Sequence, residues 1–144
     1  MKRLFSTAYN TGLANAWLLI FRITAGGFML THGYPKFQKL MGDDPIQFAD
    51  PFGFGAYPSF LLVVFAEFFC SILIILGLGT RIAAFALVIN MAVAAFYAHA
   101  ADPFGKKEMP LLFLLVFLTI LVFGPGKYSL DYAIGGSSKT GRRK

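Results

Sequence analysis

Six residues with chemical capacity stand inside or at the ends of apolar runs: Arg22, His32, Lys36, Glu67, Asn90 and His99. A carboxyl group in apolar surroundings can be tuned to carry a proton, and a cation beside it can anchor a carbonyl or an anion; an imidazole can do either. An isolated charge at the centre of a membrane helix costs ~2.5–3.5 kcal/mol, so each of these groups needs a partner at its own depth. At a rise of about 1.5 Å per residue, Arg22 lies roughly 12 Å from the inner end of its run, Asn90 roughly 13 Å and Glu67 roughly 18 Å. The spacing predicts an Arg22–Glu67–Asn90 cluster near the midplane. His32 and His99 fall roughly 27 Å from the same end, with Lys36 one turn beyond His32, Tyr97 within reach and Glu108 just ahead of the last run. Glu67, His32 and His99 are therefore the candidate catalytic groups. Arg22, Lys36, Asn90, Tyr97 and Glu108 are the candidate ligand-binding groups.

Each has a plainer reading. Arg22 and Glu67 can simply pin two helices together, because a buried ion pair does not by itself signal chemistry. The histidines can be interfacial groups bonded to a carbonyl or a lipid head, and Asn90 a helix-to-helix hydrogen bond. Two histidines at one level would permit metal or haem ligation, but no ligand motif marks it, and no metal site is expected.

Four apolar segments must position these residues, at about 14–33, 59–79, 81–100 and 109–124. Each crosses or nearly crosses a hydrocarbon core of about 30 Å. Pro110 falls in a first helical turn, where its missing N–H does no harm. "GLGTR" makes a tight turn that forces the second and third segments to be antiparallel neighbours, and "GPGK" stops the fourth. Gly26, Gly27 and Gly33 are expected where neighbouring helices approach closely. The fold expected is an all-α integral membrane four-helix bundle, with a long outer loop from Tyr34 to Pro58 between the first two helices. Residues 1–131 form a single domain in this reading, and 132–144 a basic, disordered cytoplasmic tail.

Composition supports that class. Of 144 residues 57% are hydrophobic and 14% charged, too few charges for the polar shell of a soluble domain. The start, "MKRLFSTAYNTGLANAW", reads as part of the mature chain and not as a cleavable signal. Cys70 is the single cysteine, which excludes an intrachain disulfide and dithiol redox chemistry. The net charge of +6 reports topology. With four spans, Lys2, Arg3, Arg81, Lys127 and the tail cations share one side, eight basic residues against four on the other. That asymmetry places both termini in the cytoplasm. No aromatic or folded nucleic-acid module accompanies "GGSSKTGRRK", so nucleic acid is not an expected partner.

The stretch "FRITAGGFMLTHGYPKF" resembles the first-helix signature of the DoxX family. "AEFFCSILIILGLGTRIAAFAL" is similar to its second-helix Glu followed by a Gly-rich turn with Thr-Arg, and "GPGKYSLD" to its closing segment. Together these cover about Leu18 to Asp131. The resemblance implies a four-helix, multi-pass protein of the bacterial inner membrane. It implies Arg22, His32, Gly33, Lys36, Glu67, Arg81, Gly124, Gly126, Ser129 and Asp131 as the family's recurring positions. Members are often described as oxidoreductases, the related DoxD protein belongs to a thiosulfate:quinone oxidoreductase, and similar four-helix proteins in animals act as membrane assembly chaperones. Fold and function are separable, so the resemblance leaves the chemistry open.

The function expected is a membrane oxidoreductase subunit that binds a quinone or similar apolar ligand beside the buried polar cluster. Such a site needs an apolar slot, donors for the ring carbonyls and a protonatable group. The chain has no cysteine pair, flavin fingerprint or haem motif, so electrons would come from a partner protein or directly from substrate. Quinone is the cofactor class favoured over haem. The alternative is a non-catalytic assembly or scaffold subunit. A proton-coupled carrier is disfavoured because no inverted repeat is evident. Membrane lipids and a redox or assembly protein are the expected partners, with a homo-oligomer left open.

Overall fold

Asn10 starts the first helix: its side-chain oxygen accepts the otherwise free N–H groups of Gly12 at 2.8 Å and Leu13 at 3.2 Å. The structure, a computed structural model, describes residues 10–135. These fold into four long helical segments and one short one. They are α1 (Thr11–Met41), α2 (Ala56–Leu76), α3 (Thr80–Ala98), α4 (Phe104–Phe123) and α5 (Leu130–Gly135). Among the described residues there is no strand.

α1 runs well past the end expected at Gly33. Pro35 lies inside it without ending it, although it removes the N–H that would have bonded the Thr31 carbonyl and crowds that carbonyl; neighbouring helices make such an interior proline tolerable in a membrane helix. Lys39 in the last turn suits the negative end of the helix dipole. The loop expected from Tyr34 to Pro58 therefore shortens to residues 42–55, and the last helix begins at Phe104 instead of Met109. The α2–α3 turn matches its sequence: Gly77 (φ 69°) and Gly79 (φ 56°) take left-handed conformations that a side chain would strain. Most of the basic tail expected from residue 132 lies outside the described residues.

α1, α2 and α3 are each long and apolar enough to cross a membrane. α4 carries Lys106, Lys107 and Glu108 in its first turns, so its uninterrupted apolar stretch starts at Met109. Large side chains such as Ile82, Leu115, Val122 and Phe123 point outward, as a lipid environment favours. The core joins α1 to α4 through Met29, Ile74, Leu87, Met91, Phe117 and Ile120.

Glycines set how α1 meets α2. A Cβ on Gly33 would overlap the backbone of Glu67, and one on Gly26 would press on Ser71 and Ile75. Gly27 faces open space, contrary to its expected role in packing. Further down, the Arg22 guanidinium lies against Gly77. Arg22 is thus level with position 77, about 15 Å along the axis from Glu67. This register overturns the Arg22–Glu67 cluster expected from sequence. Helices that extend into the supposed loop slide the antiparallel pair, so that Lys36 and not Arg22 comes level with Glu67.

Candidate functional site

Glu67 is the centre of the loop-side half. Its residue is 4% exposed, and both carboxylate oxygens have protein partners. Oε2 accepts from Lys36 Nζ at 2.5 Å, and Oε1 accepts from Asn90 Nδ2 at 3.0 Å. Three helices converge here because α1 can approach α2 closely at Gly33, one turn before Lys36. Phe37 then stacks on Phe68 with centroids 4.3 Å apart and holds the crossing beside the ion pair.

Two wide-turn segments flank this centre. Phe65–Cys70 in α2 and Ala94–Ala98 in α3 are π-helical, and the latter closes with a bond from His99 N–H to the Ala94 carbonyl at 3.0 Å. An extra residue in a turn rotates the side chains that follow by about 100°, and such turns occur often at functional sites. They aim Glu67, Tyr97 and His99 into two cavities.

The larger cavity has a volume of about 580 Å³ and runs between α2 and α3, where Leu62, Phe65, Ile89 and Val93 make it largely apolar. The 42–55 loop covers one end with Phe48 and Phe52. Asp50 shapes that loop. Its carboxylate accepts from the N–H groups of Phe54 (2.9 Å) and Gly55 (2.7 Å) and from the Ser59 hydroxyl (2.8 Å). The backbone donor of Gly55 leads the set of bonds that hold the Asp50 carboxyl below its ordinary range. Tyr97 donates its hydroxyl to the Asp50 carbonyl at 3.5 Å and ties the loop to α3. The smaller cavity, about 260 Å³, lies on the α1–α4 side and is lined by His32, Lys106, Met91 and Phe113. Lys36, Glu67 and His99 border both cavities.

The expected site residues therefore separate. Glu67, Lys36, Asn90, Tyr97, His99 and His32 gather around the paired cavities, while Glu108 is exposed and lines neither. Arg22 belongs to the opposite end. It donates to the Pro125 carbonyl at 2.5 Å and to the Tyr128 carbonyl at 2.8 Å. Beside it the Asp131 carboxylate caps α3 by accepting from Gly79 N–H (2.7 Å) and Thr80 N–H (2.9 Å). Burial alone would raise the Asp131 carboxyl, but the bonds from Thr80 and Gly79, with Arg22 nearby, hold it below its ordinary range.

Three features of the candidate site escaped sequence reasoning. The direct Lys36–Glu67 pair needed the true helix lengths. Lys106 and Asp102 at the mouth of the smaller cavity needed the chain to fold back there. Asp102 Oδ2 sits 2.7 Å from His99 Nδ1 and Oδ1 sits 3.6 Å from Lys106 Nζ. The His99 hydrogen bond is the main reason that the Asp102 carboxyl lies below its usual range. The motif "HAADPFGKK", with an acid three residues after His99 and a Lys four further on, was the available signal.

The DoxX family profile matches residues 17–100. The chain belongs to the DoxX family. It is also 35% identical over 122 residues to an uncharacterized protein of Haemophilus influenzae, covering 80% of this chain and 88% of that one. A second uncharacterized Haemophilus influenzae protein is 28% identical over 124 residues, covering 81% and 82%. No solved structure matches. The matched DoxX region holds the whole Lys36–Glu67–Asn90 centre with His32, Tyr97 and His99. It stops before Lys106 and before the "GPGKYSLD" segment that receives Arg22.

Proposed function

We propose that this DoxX-family membrane protein binds a quinone-class amphiphile in the α2–α3 groove, as a subunit of a quinone-linked oxidoreductase. The observation that carries the reading is a carboxylate–ammonium pair standing at the wall of an otherwise apolar cavity of about 580 Å³. Ligand sites of this kind are apolar volumes with a few convergent polar groups. The donor chemistry fits a quinone ring. Lys36 has ammonium protons beyond the one given to Glu67, and the Asn90 amide has a second N–H, so both can meet ring carbonyls. A bound quinone would supply two-electron redox chemistry. The chain's own part is to seat the head, exclude bulk water under the 42–55 loop and hold a proton at Glu67. An apolar tail would leave between Leu62 and Ile89 into lipid. Electrons would arrive from a partner protein.

In the same reading α4 is a fourth span. Arg81 and Lys127 then mark the cytoplasmic side and the 42–55 loop faces outward from a bacterial inner membrane.

The test is equilibrium binding of decylubiquinone to the purified protein, with Val93→Trp to fill the groove and Glu67→Gln to alter the head site. Saturable binding that Val93→Trp weakens at least about tenfold supports the reading. Absence of binding, or indifference to Val93→Trp, would leave the scaffold alternative in its place.

A further inference from the structure

The smaller cavity differs chemically from the groove it adjoins. Cavities with only apolar walls stay dry, whereas a polar one with several hydrogen-bonding walls holds water at about 30 Å³ per molecule. This one offers about 260 Å³, bordered by Lys36, Glu67, His32, His99 and Lys106. That leaves room for a short file of water molecules. Both members of the ion pair have unused capacity toward it: Lys36 retains ammonium donors, and the Glu67 oxygens retain lone pairs. At the mouth, His99, Asp102 and Lys106 form a linked, partly exposed set, with Asp102 32% exposed and His99 38%.

Among the described residues, the other end of the bundle offers no such path. Arg22 Nη1 and Nη2 meet the Pro125 and Tyr128 carbonyls, the guanidinium is packed on Gly77, and Asp131 takes the free N–H groups at the start of α3. The buried Arg22 Nε and Thr80 hydroxyl have no partner, but neither residue borders a cavity that reaches Glu67. Both cavities that border Glu67 lie toward the 42–55 loop, so water and protons reach it from that side.

We infer that the smaller cavity is a water-filled proton-access route joining the surface on the 42–55 loop side to Glu67. The groups facing that carboxylate are Lys36 from α1, Asn90 from α3, His99 just past the end of α3, and, across the cavity, His32 from α1 and Lys106 from α4. A proton moves from bulk water to the His99–Asp102 pair, along the waters, and onto Glu67, which leaves the partly exposed Lys36 ammonium carrying the net positive charge of the pair. The route rests on the proposed groove ligand only for what receives the proton. It makes that exchange one-sided: protons come from and return to the loop side, not the side of Arg22.

The experiment uses the full chain in proteoliposomes, with Cys70 replaced by Ser so that an introduced cysteine is alone. Met91 lines only the smaller cavity and is buried, Met109 lines the same cavity and is exposed, and Val93 lines only the groove; each is replaced by Cys in turn. Methanethiosulfonate-ethylsulfonate, a charged and impermeant reagent that needs a hydrated thiolate, is added to one side at a time. Expected is modification of Met91→Cys and Met109→Cys from the loop side at least about tenfold faster than from the other side, with Val93→Cys slow from both. Equal rates from the two sides would overturn the inference. So would Met91→Cys as inert as Cys70 in the unaltered protein while Met109→Cys reacts. If Met91→Cys does not fold, the infrared carboxyl signal that is lost in Glu67→Gln decides. After a pH jump on the loop side its rise should slow about tenfold in Asp102→Asn; an unchanged rate removes the route. Decylubiquinone binding in the same samples separates the two ideas. One-sided labelling without quinone binding refutes the groove ligand alone, and quinone binding without one-sided labelling refutes the route alone.

Discussion

Arg22 and Lys36 ride on the same helix about 21 Å apart, and the protein uses them in opposite ways. Arg22, 2% exposed, gives its protons to two backbone carbonyls of the chain's closing segment and borders neither cavity. Lys36, with 34% of its side chain exposed, gives a proton to another titratable group at a wall shared by two cavities. The same contrast separates the two ends of the bundle. The Arg22 end is knit by bonds to fixed peptide groups, whereas the Lys36 end has widened helical turns, a folded-over loop and empty volume. A buried cation is informative about function only once its acceptor is known. A carbonyl acceptor cannot change charge, so the pair can only fasten the chain; a carboxylate acceptor can.

The largest expected effects follow from removing the central group at each end. Arg22→Met strands the Pro125 and Tyr128 carbonyls at roughly 1–3 kcal/mol each, so the melting temperature in detergent should fall steeply. Decylubiquinone affinity of the protein that remains folded should not change. Glu67→Gln is nearly isosteric and keeps an acceptor for the partly exposed Lys36, so its melting temperature should fall less than that of Arg22→Met, while decylubiquinone binding weakens at least about tenfold. Equal losses of stability in the two variants would erase the distinction between the ends.

A smaller pair of substitutions sharpens the same contrast within α1. Gly33→Ala places a methyl group into the Glu67 backbone, which must move, at a cost of about 1–3 kcal/mol. The crossing that delivers Lys36 to Glu67 moves with it, so ligand binding should weaken alongside stability. Gly27→Ala meets open space in a helix interior and should be neutral or stabilising by up to about 1 kcal/mol. Thermal melts of the two single variants check this, and a destabilising Gly27→Ala would mean that the helix register is wrong.

The sequence carried the architecture further than the site. Long apolar runs, the Gly77–Gly79 turn and the stop after Phe123 were all legible, because each depends on local chemistry. Of the buried triad, Glu67 and Asn90 were placed together correctly and the cation was not. The reason is physical: apolar spacing ends the first helix before Pro35, and depths counted along the apolar runs then put Arg22 and not Lys36 level with Glu67. Extension of α1 to Met41 and the wide turn at Phe65–Cys70 both shift the register, and neither has a pattern of apolar spacing that reveals it. Glu108 failed for a related cause. It lies near the smaller cavity in sequence, but α4 presents Lys106 to that cavity and turns Glu108 outward.

The mildest test compares two capping aspartates, one at each end. Asp131 accepts from Gly79 and Thr80, and Asp50 accepts from Phe54, Gly55 and Ser59. Both carboxyls lie below their ordinary value of 3.8 in the folded protein. A depressed carboxyl favours the folded form at pH above its unfolded value, and that contribution fades as pH falls through the lower folded value. Acidification from about pH 5 should therefore weaken both caps and release them once the pH passes below the depressed folded carboxyl values, read as faster amide hydrogen exchange after correction for intrinsic rates. Asp131→Asn should abolish the pH dependence at residues 79 and 80 and leave it intact at 54 and 55; Asp50→Asn should do the reverse. If one substitution changes exchange at both ends, the fastened end and the cavity end are a single cooperative unit. The division of labour between Arg22 and Lys36 would then describe side-chain chemistry only, and not two separately opening parts of the fold.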